Sequence, residues 1–341
     1  MARATITDIA SRAGVSPATV DRALNGRKGV SAANRHRVMR AARDLGYLPS
    51  DGTTALPSRP ARLAFLIPIG QNAFMHEVTE SIRNFAREQP LVENCTVIAL
   101  KGIGSDDLAT GLDQLPDDAE GIGVITTDHP RTRDALRRVC ESGVRVVTIA
   151  SDVRATPRAA YVGVDNTIAG RTAAQVLSMA IGAGEGKVAV FFGSRGYIGH
   201  LEREAGFRSC LAEIHPGLQI LPPIETGEDG ERLYGELARL LRTEPELRGI
   251  YCVGAGRAGL VQALEWHESD RRPAVVIHDL TENSRRWLAE DRIDAVIDQN
   301  ARLVGEQAVL RLLAAIASSS DHLPLHHIEP RIILKENIPQ Q

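Results

Sequence analysis

The chain is expected to be an α/β protein of two parallel-sheet lobes, preceded by a small domain built only of helices. Three features point there. Beyond residue 60, short apolar runs alternate with stretches of helical spacing such as TIAGRTAAQVLSMAIG and ARLVGEQAVLRLLAAIASS. Repeated strand–helix units build parallel sheets that are buried on both faces. Such runs number about ten, more than one sheet holds comfortably, hence two lobes. Charge is also uneven. Residues 1–60 hold ten basic and four acidic side chains, whereas the rest hold 30 and 39. A basic head on an acidic body suggests a polyanion-binding module joined to a domain with another task.

Length and composition bound the alternatives. The 341 residues are 43% hydrophobic and 24% charged, which excludes a disordered or fibrous chain. No apolar run approaches the roughly 18 residues that span a bilayer. The opening MARATITDIASRAG lacks the apolar core and cleavage site of a secretory signal. Cys95, Cys140, Cys210 and Cys252 are scattered, and no CxxC pair offers a zinc site or a disulfide framework. The expectation is a cytoplasmic protein without metal, cofactor or membrane contact.

The head, residues 1–50, reads as three short helices. Thr5 and Asp8 form an S/T-x-x-D/E cap before Ile6, Ile9, Ala10 and Ala13, and Gly14 closes that helix. Ser16-Pro17 is an N-cap followed by proline at the first helical position. The second helix runs through Ala18, Thr19, Val20, Arg22, Ala23 and Leu24 to Asn25-Gly26. Ser31 caps a third helix that runs from Ala32 to about Leu45 and buries Val38, Ala41, Ala42 and Leu45. Two helices joined by a tight Ala-Gly-Val turn make a helix-turn-helix, whose second helix enters the major groove N-terminus first. That places Pro17, Ala18 and Arg22 at base edges. Arg22 can grip a guanine bidentately, while Pro17 and Ala18 offer only apolar contact, for example to a thymine methyl. Thr5, Ser16, Thr19, Asn25 and Ser31 are short polar groups suited to phosphates, which fix register. The plainer alternative is a three-helix bundle with Arg22 as a solvated charge.

Residues 5–50, TITDIASRAGVSPATVDRALNGRKGVSAANRHRVMRAARDLGYLPS, resemble the DNA-binding headpiece of the LacI/GalR family of transcription regulators. Caps, turn, third helix and the GYLP exit all coincide. Asp21 departs from it, standing where many members carry serine; an acid there would repel phosphate or select a cytosine amino group. Residues 51–60, DGTTALPSRP, form a linker rich in Gly, Pro, Ser and Thr. The resemblance implies a hinge helix that forms on DNA and wedges Leu56 into the minor groove. Gly52 and Pro57 are poor helix formers, so an unstructured tether is the alternative.

Residues 61–341 then form the two-lobed body. Its strand-like runs are RLAFLIPI, VIAL, GIGVIT, RVVTIA, YVGVD, KVAVFFG, LQIL, GIYCVG, PAVVIHDL and DAVIDQ. The lobe break is expected near 155–161, with a recrossing near 285–300. Ligands bind at the carboxyl ends of such strands, hence in the cleft between lobes. Residues 61–335 are similar to the periplasmic-binding-protein-like domain that completes the same family. The likeness is carried by QNAFM after the first strand, the stretch around Arg203, and VVIHDL and VIDQ. It implies Asn72, Phe74, Arg203, Asp279 and Gln299 as contacts for a small polar effector, a sugar, polyol or derivative. An aspartate that sugar-binding relatives carry after the fourth strand falls at Ile149 or Ala150, with Asp152 as a nearby substitute. A pocket asparagine falls at Gly254. Plainer roles exist: a salt-bridge partner for Arg203, a helix cap for Asp279, and loop and core positions for Asn72 and Phe74. With aromatic residues at only 4%, a pocket built on ring stacking is thinly supplied, so the effector need not be an ordinary hexose.

The resemblance therefore implies a homodimeric regulator, commonly a repressor, reading a pseudo-palindromic double-stranded operator. No heptad tail follows residue 338 to suggest a tetramer helix. A rival reading uses Gly254-Ala255-Gly256-Arg257-Ala258-Gly259, a literal GxGxxG after a strand, with Asp279 at a later strand end. It would make the chain an NAD(P)-dependent oxidoreductase or a nicotinamide-sensing regulator. A transport solute-binding protein is a third class. His322, His326 and His327 are read as an exposed turn rather than a metal site. Trp266 and Trp287 are read as packing residues.

Overall fold

The computed structural model describes residues 5–24, 27–45, 47, 56–70, 72–254, 256–266, 272–318, 322–324 and 327–340. The chain divides into two compact units. One comprises residues 1–70, 77–162 and 302–326; the other 71–76, 163–301 and 327–341. The first crossing falls close to the expected break. Besides the short excursion of residues 71–76, which was not anticipated, the later crossing at 301/302 lies just past the expected window, and one at 326/327 was not anticipated.

The head of the first unit is three helices, α1 (Ile6–Ala13), α2 (Pro17–Leu24) and α3 (Ala32–Asp44). Each begins as its cap dictates. Thr5 and Asp8 exchange bonds in a capping box, the Thr5 Oγ1 accepting from the Asp8 N–H at 3.3 Å. The Ser16 and Ser31 hydroxyls accept from the N–H groups of Thr19 (3.2 Å) and Asn34 (3.3 Å). Gly14 leaves α1 in the left-handed region at φ 63°. Ile9, Ala10, Ala13, Val20, Ala23, Val38, Ala41 and Ala42 form a core of their own. Leu45, expected in that core, is instead exposed, because α3 ends one residue before it.

The first unit continues as a five-stranded parallel sheet, in the order β2-β1-β3-β4-β5. Its strands are β1 (Ala61–Ile67), β2 (Val92–Ala99), β3 (Gly121–Val124), β4 (Arg145–Ile149) and β5 (Ala160–Val162), and between the first four run α4 (Ala73–Glu88), α5 (Ser105–Leu112) and α6 (Pro130–Glu141). β1 is buried along nearly its whole length, as a central parallel strand covered on both faces must be.

The second unit holds β6 (Gly186–Phe192), β7 (Leu218–Ile220), β8 (Ile224–Glu225), β9 (Leu247–Cys252), β10 (Ala274–His278), β11 (Ala295–Asp298) and β12 (Arg331–Ile333). The sheet order is β12-β11-β10-β9-β6-β7, with β8 also on β6 and only β12 antiparallel. β8, two residues long, carries too little pattern to be read from sequence. Strand order reverses between β6 and β9, since the chain leaves β6 toward β7 and returns to β9 on the other side. Ligands in open α/β sheets bind beside such a reversal, at the carboxyl ends of the strands.

Two helices of this unit pack with unusual intimacy. They are α7 (Asn166–Ile181) and α8 (Ile198–Ile214). A Cβ added at Gly170 of α7 would overlap the Arg203 carbonyl oxygen, and one at Gly206 of α8 would overlap that of Thr167. The two glycines let the backbones touch, which sets the Arg203 side chain against Asn166.

Candidate functional site

Two regions bear on function. The first is the outer face of α2. Ser16, Pro17, Ala18 and Arg22 are exposed and Thr19 is half-buried, while Val20 and Ala23 on the opposite side are in the core. Helical periodicity thus turns the expected base-reading and phosphate-contacting groups outward together. Thr5 and Ser31 are exposed at the starts of α1 and α3. Asn25 lies outside the described residues. Asp21 is not a bare charge facing the reading edge: its Oδ2 is 3.0 Å from Arg27 Nη1, with both side chains largely exposed. Leu56 is 52% exposed, and residues 56–60 carry no helix; 51–55 lie outside the described residues.

The second region is a buried polar cluster in the second unit, at the reversal between β6 and β9. Arg203 is 4% exposed. It donates from Nε to Asn166 Oδ1 (2.7 Å), from Nη1 to the Val253 carbonyl (3.2 Å) and from Nη2 to Gln299 Oε1 (2.6 Å). Gln299, just past β11, passes the contact on: its Nε2 donates to Asp279 Oδ1 at 2.6 Å. The other oxygen, Asp279 Oδ2, is 3.2 Å from Arg257 Nη1, which also bonds the His278 carbonyl. Asp279 follows β10 at φ 66°, and Glu228 sits at φ 63°. Non-glycine residues held there cost on the order of 1–3 kcal/mol and gather at functional sites. Asn72 caps its own segment, its Oδ1 accepting from the Phe74 N–H at 3.1 Å, and its Nδ2 approaches Glu228 Oε2 at 3.4 Å.

Burial sets the protonation of this cluster. Withdrawal from water pushes the Glu228 carboxyl up, against the lowering influence of Asn72 and Arg257. It drives His200 down to about 3, helped by the Arg203 charge, and holds His278 far below the ordinary imidazole range. The neutral His278 shares a 2.7 Å hydrogen bond with the Tyr251 hydroxyl, and Tyr251 stacks on Phe207 of α8. The Tyr197 hydroxyl is buried without a partner among the described residues.

Both regions lie in domains that match known families. Residues 5–50 match the model of the bacterial regulatory proteins of the lacI family, and residues 63–319 match a periplasmic binding protein domain. The HTH-type transcriptional regulator GntR of Pseudomonas aeruginosa is 31% identical over 255 residues, covering 73% of this chain and 71% of the relative. The ribose operon repressor of Haemophilus influenzae is 25% identical over 98% of both chains. Among solved structures, a solute-binding protein from Burkholderia graminis in complex with D-arabinose superposes with a TM-score of 0.75 at 22% identity. That match covers 83% of this chain and 98% of the other, and it bears on the fold. The chain belongs to the LacI family. It is a DNA-binding transcriptional regulator.

The effector-site expectations in this LacI-family regulator divide by location. Arg203, Asp279 and Gln299 are joined in one hydrogen-bond relay, with Asn72 at Glu228. Asp279 does not cap the following helix, α11 (Glu282–Ala289); Thr281 does, accepting from the Ser284 N–H. Arg203 makes no ion pair among the described residues. Phe74 is 3% exposed. Gly254 is buried where a Cβ would press on the Gly193 amide nitrogen and His200. Asp152 belongs to the first unit. There it takes a bidentate contact from Arg158 and a 2.7 Å bond from the Thr148 hydroxyl. Asn166, Glu228, Tyr197 and His200 were not foreseen, since only the fold gathers them, and Arg257 was met only as part of the GxGxxG run.

The GxGxxG run has a packing explanation. A Cβ at Gly259, in α10 (Arg257–Glu265), would overlap the carbonyl oxygen of Gly230, which opens α9 (Gly230–Thr243). Gly256 takes φ 83° to start α10. Asp279, the residue a ribose would need, is engaged by Arg257 and Gln299. Trp287 is a core residue, whereas Trp266 corrects its expectation: it is 75% exposed at the end of α10, beyond the last turn that packs. His322 bonds the Arg158 carbonyl at 2.8 Å, and His326 lies outside the described residues. Among the described residues no helix is long and apolar enough to cross a membrane.

Proposed function

We propose that this regulator is a cytoplasmic homodimeric repressor whose operator affinity is set by a small polyhydroxylated effector, and that it performs no catalysis. Two copies of α2 read the half-sites of a pseudo-palindrome, because protein symmetry is mirrored in the operator. Arg22, Pro17 and Ala18 meet base edges; Thr5, Ser16, Thr19, Asn25 and Ser31 hold phosphates; Leu56 enters the minor groove. The effector occupies the second unit's cluster of Asn72, Arg203, Asp279 and Gln299, with Phe74 and Gly254 as further contacts. The observation that carries this reading is the Arg203–Gln299–Asp279 relay, a buried chain of charged and amide groups at a sheet reversal. An effector that alters operator affinity must itself be bound with an affinity that DNA alters by the same factor.

Selection of duplexes from a random pool by the full-length protein tests the DNA half. A pseudo-palindromic motif is the expected outcome. Arg22→Ala should retain salt-sensitive binding but lose preference at one position per half-site. A pool that stays random, or an Arg22→Ala pool identical to the wild type, contradicts it.

A further inference from the structure

The headpiece is joined to the rest of the first unit by more than the linker. One side of α3 rests on it. After α6 the chain turns at Gly143, φ 90°, directly against α3: a Cβ there would overlap the Cα of Ala33. One turn along α3, the His36 Nε2 accepts from Arg145 Nη1 at 3.2 Å. The Arg145 Nε in turn donates at 3.0 Å to the Ala315 carbonyl of α12 (Ala301–Ala317). A further turn along, Met39 lines a narrow seam with Ala23 and Arg35 of the head and Glu120, Ile316 and Ala317 of the body; the cavity left there is about 30 Å³. Residues 33, 36 and 39 recur every third position and so share one side of the helix. Charge closes the seam. Glu120, 5% exposed, pairs with Arg59 at the end of the linker and accepts from the Arg62 N–H at 3.3 Å. Arg35 donates to the carbonyls of Ala23 (3.2 Å) and Arg27 (3.1 Å), tying the end of α2 to α3. Burial and the Arg59 charge disfavour its guanidinium, and Glu120 opposes them. Ser16, Pro17, Ala18 and Arg22 stay exposed, so the face that rests on the body is not the face that reads DNA.

We infer that Gly143, Arg145 and Glu120 form a seat for the chain's own headpiece, and that these body residues position α2 and so set which half-site spacing the regulator accepts. A contact this small would not hold a free partner. A short tether changes that, because it presents the head at an effective concentration of about millimolar. A seated head has given up its rotational freedom before DNA arrives, so binding costs less. It also faces one way. Half-sites turn with the duplex as their spacing changes, so two fixed heads fit one spacing and two loose heads fit several. The spacing argument rests on the proposed reading of two half-sites; the seat itself does not.

Two full-length variants test it. Gly143→Ala sets a methyl group against Ala33, and Glu120→Gln removes the seam's carboxylate charge at nearly constant shape. Gly182→Ala is the control: at φ 69° it imposes a similar backbone strain, with nothing within 4 Å to displace. Without DNA, hydrogen exchange at the start of α3 should quicken in both seat variants and stay as in wild type in the control. On the selected duplex the seat variants should bind about tenfold more weakly. On duplexes with base pairs inserted one at a time between the half-sites, wild type and Gly182→Ala should lose affinity steeply, and the seat variants should show a flatter profile. A merely destabilised protein would weaken on every duplex alike and keep the steep profile. Seat variants with wild-type exchange, or with the wild-type spacing profile, overturn the inference. So does tighter operator binding, which would make the contact inhibitory. A wild type that prefers no spacing at all refutes the two-half-site reading and the spacing role together, while the exchange measurement still judges the seat.

Discussion

The headpiece and the buried cluster of the second unit are both polar sites, but they are built in opposite ways. In the headpiece every functional group lies within a few dozen residues, and helix caps plus one turn aim them. Its own small apolar core is enough to hold the face. In the cluster, Asn72, Asn166, Arg203, Glu228, Arg257, Asp279 and Gln299 come from seven separate segments. They depend on the glycine contacts that bring α7 to α8 and α9 to α10. Local structure makes the first site tolerant of single changes; long-range packing makes the second brittle.

Substitutions can press on that contrast, starting with the most damaging. Asp279→Ala leaves Arg257 buried without its carboxylate. A loss of about 3–5 kcal/mol is expected in urea unfolding, and effector binding should vanish. Gly170→Val forces α7 from α8 at the Arg203 carbonyl. It should cost about 3 kcal/mol and weaken effector binding, although residue 170 supplies no polar group. Equal stability in either variant would remove the brittleness.

The third test is pH. His200 is held neutral down to about 3, whereas an unfolded imidazole titrates near 6.5. Above 6.5 neither state holds the proton, so the group adds nothing. Below it the unfolded chain takes up the proton and the folded chain does not. Stability should therefore fall by about 1.4 kcal/mol per pH unit from 6.5 downward for this histidine. Urea midpoints at pH 7.5 and 5.5 would register it, with a smaller decline in His200→Asn.

The headpiece should respond more gently. Thr5→Ala or Ser16→Ala removes one cap and should cost about 1 kcal/mol, visible as reduced protection of the first turn of α1 or α2 in hydrogen exchange. Asp21→Ala breaks an exposed pair and should change stability by about 0.5 kcal/mol or less. A large effect there would show Asp21 doing more than holding Arg27.

The same contrast explains what could be read from the sequence. Caps and turns are written in neighbouring residues, so α1, α2 and α3 are legible to within a residue or so. Parallel strands announce themselves as apolar runs, and ten of the eleven were visible; β8, two residues long, was not. Arg203, Asp279 and Gln299 could be placed by resemblance, but their relay could not, because it depends on side chains nearly a hundred positions apart. Arg257 was hidden inside a motif that suggested a nucleotide. Its glycines serve helix packing, a reason that appears only when Gly230 is set beside Gly259. The left-handed backbone at Asp279 and Glu228 leaves no sequence mark at all.

The most direct measurement is operator affinity by fluorescence anisotropy, with and without the tightest-binding probe from a panel of sugars, polyols and their derivatives, for wild type, Arg22→Ala and Asp279→Asn. Wild type should bind the selected duplex and change affinity when the probe is added. Arg22→Ala should bind the selected duplex at least about tenfold more weakly, having lost preference at one position per half-site, yet still bind the probe by calorimetry. Asp279→Asn should bind the duplex normally and fail to respond. An Asp279→Asn protein that responds to the probe as wild type does would contradict the assignment of the cluster as the site that controls DNA binding.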